Sequence, residues 1–365
     1  MRRLFITLFI LNLLNISSQN FDSLKVEAYK LKSDTDRVNF FYKEGFANRS
    51  INAQYSYNCA KQAEAFAQIT NLPYYIAKSN NLLGILYYRK GDLNTALSYH
   101  KKALALRTTI NDKKGIALSQ TNLGNIFSEL ALYKLAENAY LKALEINNEL
   151  NSPTQIDNCL LNLGVLSADL KMINVAENYF NRALNNSTKR NDYEIQASCL
   201  NNLAVINTAK QDYDAAIANC YNSIKVKNLM DNEMEMADSY LNIAVAYIKK
   251  KDPKLALENL LIADSIILKF NYFAAKIEAL KAYSEYYELE KNFECSLVYL
   301  KKSALLNDSL EKANRKIRLE NTFVEKEIIS NPENENKEKQ FLIIYFTILC
   351  VLTLLIGLFI LKLKR

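Results

Sequence analysis

Residues 122–143 read NLGNIFSELALYKLAENAYLKA, and the pattern of this stretch returns every forty residues. Leu123-Gly124 has counterparts at Leu83-Gly84, Leu163-Gly164, Leu203-Ala204, Ile243-Ala244 and Tyr283-Ser284. A second small column follows at Ala96, Ala136, Ala176, Ala216, Ala256 and Ser296. A third runs through Ala103, Ala143, Ala183, Ser223, Ala263 and Ser303. Between the last two lies a mostly bulky column of His100, Tyr140, Phe180, Cys220, Leu260 and Leu300. Self-similarity at one fixed period is the signature of a repeat array.

The columns describe a pair of helices. Small residues on both helices let the two backbones approach, and the bulky column fills the groove beside them. Asp112, Ser152, Asp192 and Asn232 are N-cap residues for the first helix of a pair. Asp92, Asp212, Asp252 and Asn292 play that part for the second. Pro153 and Pro253 stand at first helical positions, where a missing N–H costs nothing. One pair cannot cover its own apolar face, so neighbours stack. Seven glycines and four prolines in 365 residues, with 50% hydrophobic content, agree with helix and argue against a turn-rich β design.

These residues resemble the tetratricopeptide repeat in its 40-residue form. The match is close over Asn111–Ala117, Asn122-Leu123-Gly124, Tyr133, Ala136, Tyr140 and Ala143, and the resemblance covers about residues 34–303. It implies an all-α, right-handed superhelical solenoid of antiparallel helix pairs, with degenerate first and last repeats. The family's frequent Trp is absent, and serines replace the small residues of the last repeat. In that family the first helices line a concave face that binds extended peptides. By that inference Asn122, Asn162, Asn202 and Asn242, flanked by Asn125 and Asn201, are the candidate ligand-binding residues. Stacked amides can donate to and accept from a peptide backbone, while the competing role for them is capping of local backbone groups. Asn81, Asn158, Asp238 and Lys281 flank the same face. The clustered Lys, Arg and Asn of the family's carboxylate clamp are not found.

The termini carry different signals. Met1-Arg2-Arg3, an apolar run to Ile16 and then Ser17-Ser18-Gln19 read as a signal peptide, residues 1–19. The solenoid is assigned to 20–303. Residues 304–340 read as a helix and hinge, either a short dimerising stalk or the cap of the solenoid. Residues 341–361 carry no charge and predict a transmembrane helix, followed by a basic cytoplasmic tail at 362–365. These segments place the chain in an inner membrane, single-pass, with its bulk exported. The arrangement is similar to the sensor region of bacterial membrane histidine kinases, without an output domain.

The net charge of +7 includes Arg2, Arg3, Lys362, Lys364 and Arg365, so the interior is nearly balanced and no nucleic acid is implied. His100 is the one histidine and sits in the bulky column. No catalytic set, metal site or cofactor is expected. Cys59, Cys159, Cys199, Cys220 and Cys295 read as small core residues. The reading is a membrane-anchored, non-enzymatic scaffold for a protein or extended peptide. The alternative is a sensor subunit of a two-component receptor, partnered by a separate kinase or regulator and dimerised through the stalk.

Overall fold

The computed structural model describes residues 21–49, 52–270 and 272–306. All lie in one compact unit that ends at Ala313. Every regular element among the described residues is an α-helix. A short α1 (21–29) precedes α2 (Asp34–Ala47) and α3 (Ala53–Thr70). Next come α4 (Pro73–Arg89), α5 (Leu93–Thr109), α6 (Lys113–Glu129) and α7 (Tyr133–Glu149). They are followed by α8 (Pro153–Asp169), α9 (Ile173–Arg190), α10 (Tyr193–Ala209) and α11 (Tyr213–Leu229). The last are α12 (Glu233–Lys250), α13 (Pro253–Phe270), α14 (Phe273–Leu289) and α15, described over 293–306. They form antiparallel pairs, α2 with α3 through α12 with α13, and each second helix packs on the first helix of the next pair.

Turn chemistry makes the pairs regular. Asp92, Asp112, Asp192, Asp212, Asn232, Asp252 and Asn292 each accept the N–H three residues on, which satisfies one orphan donor of the new helix. Ser152 occupies the same place without a side-chain cap bond, and Pro153 alone fixes that start. One residue with left-handed backbone precedes each of these positions, from Gly91 and Asn111 to Lys291, and Ala131 and Lys171 stand likewise before Leu132 and Met172, which make no side-chain cap bond. The cap's own N–H then reaches back to the helix just ended, as from Asp112 to the Arg107 carbonyl at 2.9 Å, which closes a Schellman turn.

Within a pair the contact is between a ring and a missing side chain. A methyl group added at Gly84 would stand 2.6 Å from the His100 ring, and at Gly124 and Gly164 it would stand 2.5 Å from Tyr140 and Phe180. Where the first helix carries Ala204 or Ala244 instead, the facing residue shrinks to Cys220 or Leu260, all fully buried. The bulky column therefore sits on the small column rather than beside it. The match ends in the last pair: Leu300 is 51% exposed, and Tyr299 stacks on Tyr283 and Tyr287 in its stead. Ser284 there donates to the Ser296 carbonyl at 3.0 Å, a polar link where earlier pairs have apolar contact.

The predicted membrane-spanning helix, and with it the inner-membrane placement, is corrected. Among the described residues no helix is long and apolar enough to cross a membrane. These helices interleave charged, exposed residues with their buried apolar ones, as Glu137, Lys142 and Glu145 show on α7. The segment 341–361, the signal peptide 1–19, the tail 362–365 and all of the stalk beyond 306 lie outside the described residues.

Gly124→Ala is expected to cost about 1–3 kcal/mol, because a methyl group there overpacks the Tyr140 ring. Combined with Tyr140→Leu it recreates the Ala244/Leu260 pairing, so the double variant should lose less than the sum of the two single losses. Urea unfolding of the four proteins measures this coupling, and strict additivity would refute the ring-on-glycine contact.

Candidate functional site

Each first helix packs on the first helix of the following pair, in one row from α2 through α4, α6, α8, α10 and α12 to α14. Two hollows open along this row. One, of about 380 Å³, crosses α2, α4, α6 and α8, with Tyr42, Tyr74, Lys78, Lys114 and Leu118 among its walls and Arg107 from the end of α5. The other, of about 770 Å³, crosses α10, α12 and α14 and is lined by Val205, Asp238, Asn242, Lys281 and Glu285 among others.

Buried polar groups tie this row to the second helices. Arg107 is 6% exposed. Its Nη1 donates to Ser119 Oγ at 2.7 Å, to the Gly115 carbonyl at 3.0 Å and to Asn81 Oδ1 at 3.5 Å. Its Nε lies 3.9 Å from Asp112 Oδ2. Three repeats on, the same node is rebuilt with a lysine. Lys227, 2% exposed, donates to the Glu235 carbonyl at 2.6 Å and to Ser239 Oγ at 3.0 Å, and Ser239 donates to Asn201 Oδ1 at 2.8 Å. Burial lowers the pKa of both cations, against the attraction of Asp112 for Arg107 and of Asp238 and Glu235 for Lys227. Between the two nodes, Asp157 takes a place held by alanine in the flanking repeats (Ala117, Ala197). It is fully buried and bonds Arg190 at 2.5 Å and Asn186 at 2.8 Å.

The six asparagines picked from sequence do not form one uniform ladder. Asn122 donates to Asn81 Oδ1 at 3.0 Å, across neighbouring first helices. Asn201 accepts from Ser239, and Asn202 turns back to the Ser198 carbonyl at 2.9 Å. Asn125 accepts from the Tyr140 hydroxyl at 2.8 Å and so faces the second helix. Asn162 and Asn242 are partly buried and have no hydrogen-bond partner within the described residues, and Asn242 lines the larger hollow. Of the flanking positions, Asn81 is fully buried, whereas Asn158, Asp238 and Lys281 line the hollows. Arg107 and Lys227 escaped the sequence reading. A serine stands twelve residues after each, but Ser79 stands twelve after the uncharged Ala67 as well, and the other equivalents are Cys159, Cys199 and Ala279, so the serine alone does not mark them.

Comparison with known proteins agrees with the fold. The family model described as tetratricopeptide repeat matches residues 75–149. No curated protein sequence matches the chain. Among solved structures, a Rap protein complexed with Competence and Sporulation Factor is similar at 18% identity and a TM-score of 0.65, covering 80% of each chain. Aspartyl phosphate phosphatase F from Bacillus subtilis is similar at 14% identity and a TM-score of 0.63, covering 75% of this chain and 71% of its own. The Rap conjugation gene regulator of plasmid pLS20, in complex with the Phr* peptide, is similar at 15% identity and a TM-score of 0.56, covering 82% and 95%. At these identities the likeness is one of fold: a helical solenoid of the tetratricopeptide type.

The remaining reactive side chains belong to the packing. Cys59, Cys159, Cys199 and Cys220 are free and buried, and burial pushes the thiols of Cys59, Cys199 and Cys220 up to about 12. Cys295 departs from the expected core role, being only partly buried. His100 is held at a pKa of about 4, first by burial and then by Arg107. A depressed imidazole pKa means the unfolded chain takes up the proton first, so stability falls as pH drops from about 6.5 to 4 and is whole above that window. At 1.36 kcal/mol per unit the loss from this site is on the order of 3 kcal/mol. His100→Phe copies the ring that faces Gly164 and removes the titration. Denaturant unfolding at pH 7 and pH 4 should show the variant losing less stability than the parent by about that amount.

Proposed function

We propose that the chain is a non-enzymatic scaffold that holds a protein or an extended peptide along the first-helix row. The observation that carries this reading is the pair of hollows that each cross three or more successive first helices, with free amides in or beside them. An extended backbone needs donors and acceptors at intervals, and Asn amides supply both without regard to the ligand's side chains. Stacked helix pairs hold those amides in place before binding, so little ordering is lost on association. The solved relative bound to the Phr* peptide supports a peptide as the ligand class. The resemblance to a phosphatase supports no activity here, since it is a likeness of fold. The span, and the stalk beyond residue 306, on which the sensor alternative rests lie outside the described residues.

The test is a selection of random nine-residue peptides displayed on phage against the full chain, followed by titration of the enriched peptides. Asn162→Ala with Asn242→Ala removes two uncommitted amides. At about 0.5–1.5 kcal/mol per hydrogen bond, the pair should weaken binding by about fivefold to a hundredfold. Asn202→Ala, whose amide is already used by Ser198, should weaken it less. Equal affinity for all variants would remove the asparagines from the site, and a selection that yields no binder would defeat the peptide-scaffold reading itself.

A further inference from the structure

Every second helix before α15 packs on the first helix of the next pair. Among the described residues α15 has no such neighbour. It meets α14 through Tyr299, which stacks on Tyr283 and Tyr287, and through the Ser284–Ser296 link. Beside that contact Phe293, Leu297 and Leu300 stand 66%, 49% and 51% exposed, with Ala304 exposed beyond them. Steps of four, three and four put these side chains in one stripe along the helix. At the same positions of α5, Leu93, Leu97 and His100 are buried.

The sequence that follows lacks the turn that would bring another pair onto the stripe. The forty-residue period puts Glu311-Lys312 where earlier joints have Asn111-Asp112, Asn151-Ser152, Asn191-Asp192 and Asp231-Asn232. It puts Leu319 where those joints continue with Ser119, Cys159, Cys199 and Ser239. A terminal repeat is expected to present a polar outer face, and this one presents an apolar stripe.

The stripe is complementary to itself. Reversed about a two-fold axis midway between Leu297 and Leu300, it sets Leu297 against Leu300 of a second copy and Phe293 against Ala304. Ala304 is small where the same column holds Leu104, Leu144, Leu184 and Ile224. The ring of one copy therefore finds room on the other, the same fit of large to small that closes each helix pair. Glu294 and Lys301 come next around the helix, both exposed and neither with an ionic partner among the described residues. The reversal brings Glu294 of each copy near Lys301 of the other. A parallel pairing would instead face every residue with itself, ring against ring and like charge beside like charge, which costs affinity.

We propose that α15 is a self-association surface, through which two copies of the chain pair antiparallel on Phe293, Leu297, Leu300 and Ala304, with Glu294 and Lys301 closing the edge. The contact is isologous, so it closes at two copies. Four side chains on about 20 Å of helix make a small interface, and the dimer forms and parts with concentration. None of these residues lines either hollow, so the proposal stands apart from peptide binding.

The test is sedimentation velocity of the full chain over a range of concentrations. The parent should pass from monomer to dimer as concentration rises, and no further. Leu297→Lys puts a charge at the centre of the stripe, on a side chain already half exposed. It should weaken association about tenfold or more, with helix content and thermal unfolding of the dilute protein unchanged. Glu294→Lys alone and Lys301→Glu alone each turn both attractive pairs into repulsive ones, and each should weaken association about tenfold. The double variant restores both pairs with the signs exchanged and should recover the parent's association. The two positions lie two turns apart on their own helix and are not neighbours there, so rescue has to come from a second copy in reversed orientation. A parent that stays monomeric at every concentration would overturn the proposal and leave the stripe to the residues beyond 306 or to a different protein. A dimer indifferent to Leu297→Lys, or single charge variants that the double variant does not rescue, would overturn it equally.

Discussion

Where a first helix meets the second helix of its own pair, a side chain is missing on one and a large group fills the space from the other. Gly84, Gly124 and Gly164 receive the rings of His100, Tyr140 and Phe180, and Ala204 and Ala244 receive the smaller Cys220 and Leu260. What the contact keeps is a small residue set against a larger one, since the helix separation depends on the side chains at the crossing. If each pair closes to a similar distance, the next pair meets the same surface and the stack continues. A solenoid has no long-range contacts to correct an error, so the local fit has to be right in each repeat. The last pair shows what happens when it is not. Ser284 bonds Ser296 and Tyr299 replaces Leu300 in the packing, and an apolar residue is left facing outward.

The turns supply the angle that the packing supplies the distance for. Between pairs the left-handed residue is Asn71, Asn111, Asn151, Asn191 or Asp231, types whose short polar side chains tolerate that backbone. Within pairs it is Gly91, then Ala131, Lys171, Gln211, Lys251 and Lys291. Left-handed backbone costs a side-chain-bearing residue about 1–2 kcal/mol. The cost is offset by the hydrogen bond that closes the turn and, at the Asp and Asn caps, by the side-chain bond that opens the next helix. Equal turns and equal packing place the first helices side by side, and that regularity is what produces a groove crossing several of them.

The repeat, the helix pairing and the caps were legible in sequence because each depends on residues close along the chain. Gly124 and Tyr140 are sixteen positions apart, and Asp112 caps a bond only three residues away. The ring-on-glycine contact itself was misplaced by one step: spacing gives the column but not which way its side chain turns. The asparagines were harder still. Asn122, Asn125, Asn201 and Asn202 are one residue type in neighbouring positions, yet each finds a different partner. What separates them is the helix face that each side chain leaves, and whether an Asn81 or a Ser239 stands within reach from another repeat. Arg107 and Lys227 were invisible for a related reason. Each is a charge at a column otherwise filled by Ala67, Asn147, Ser187 and Ile267, and only the partners gathered around it show that it is buried.

The two cationic nodes explain why the ends of the row differ although they are built alike. Both bond a carbonyl eight residues on and a serine twelve residues on, and both reach an asparagine of an earlier first helix, directly for Arg107 and through Ser239 for Lys227. Lys227 spends its compact ammonium on these bonds, and the neighbouring Asp238, itself held by Tyr272 at 3.1 Å, balances its charge from within the chain. Arg107 has five N–H donors rather than three, and the same bonds leave part of the fork over. The substitution of guanidinium for ammonium in one repeat thus gives a node with more donors, beside a hollow that two lysines also line. The opposite hollow mixes Lys171, Lys249 and Lys281 with Asp238, Glu278 and Glu285, and has no such excess. A repeat array made of near-identical units acquires two ends of different charge in this way.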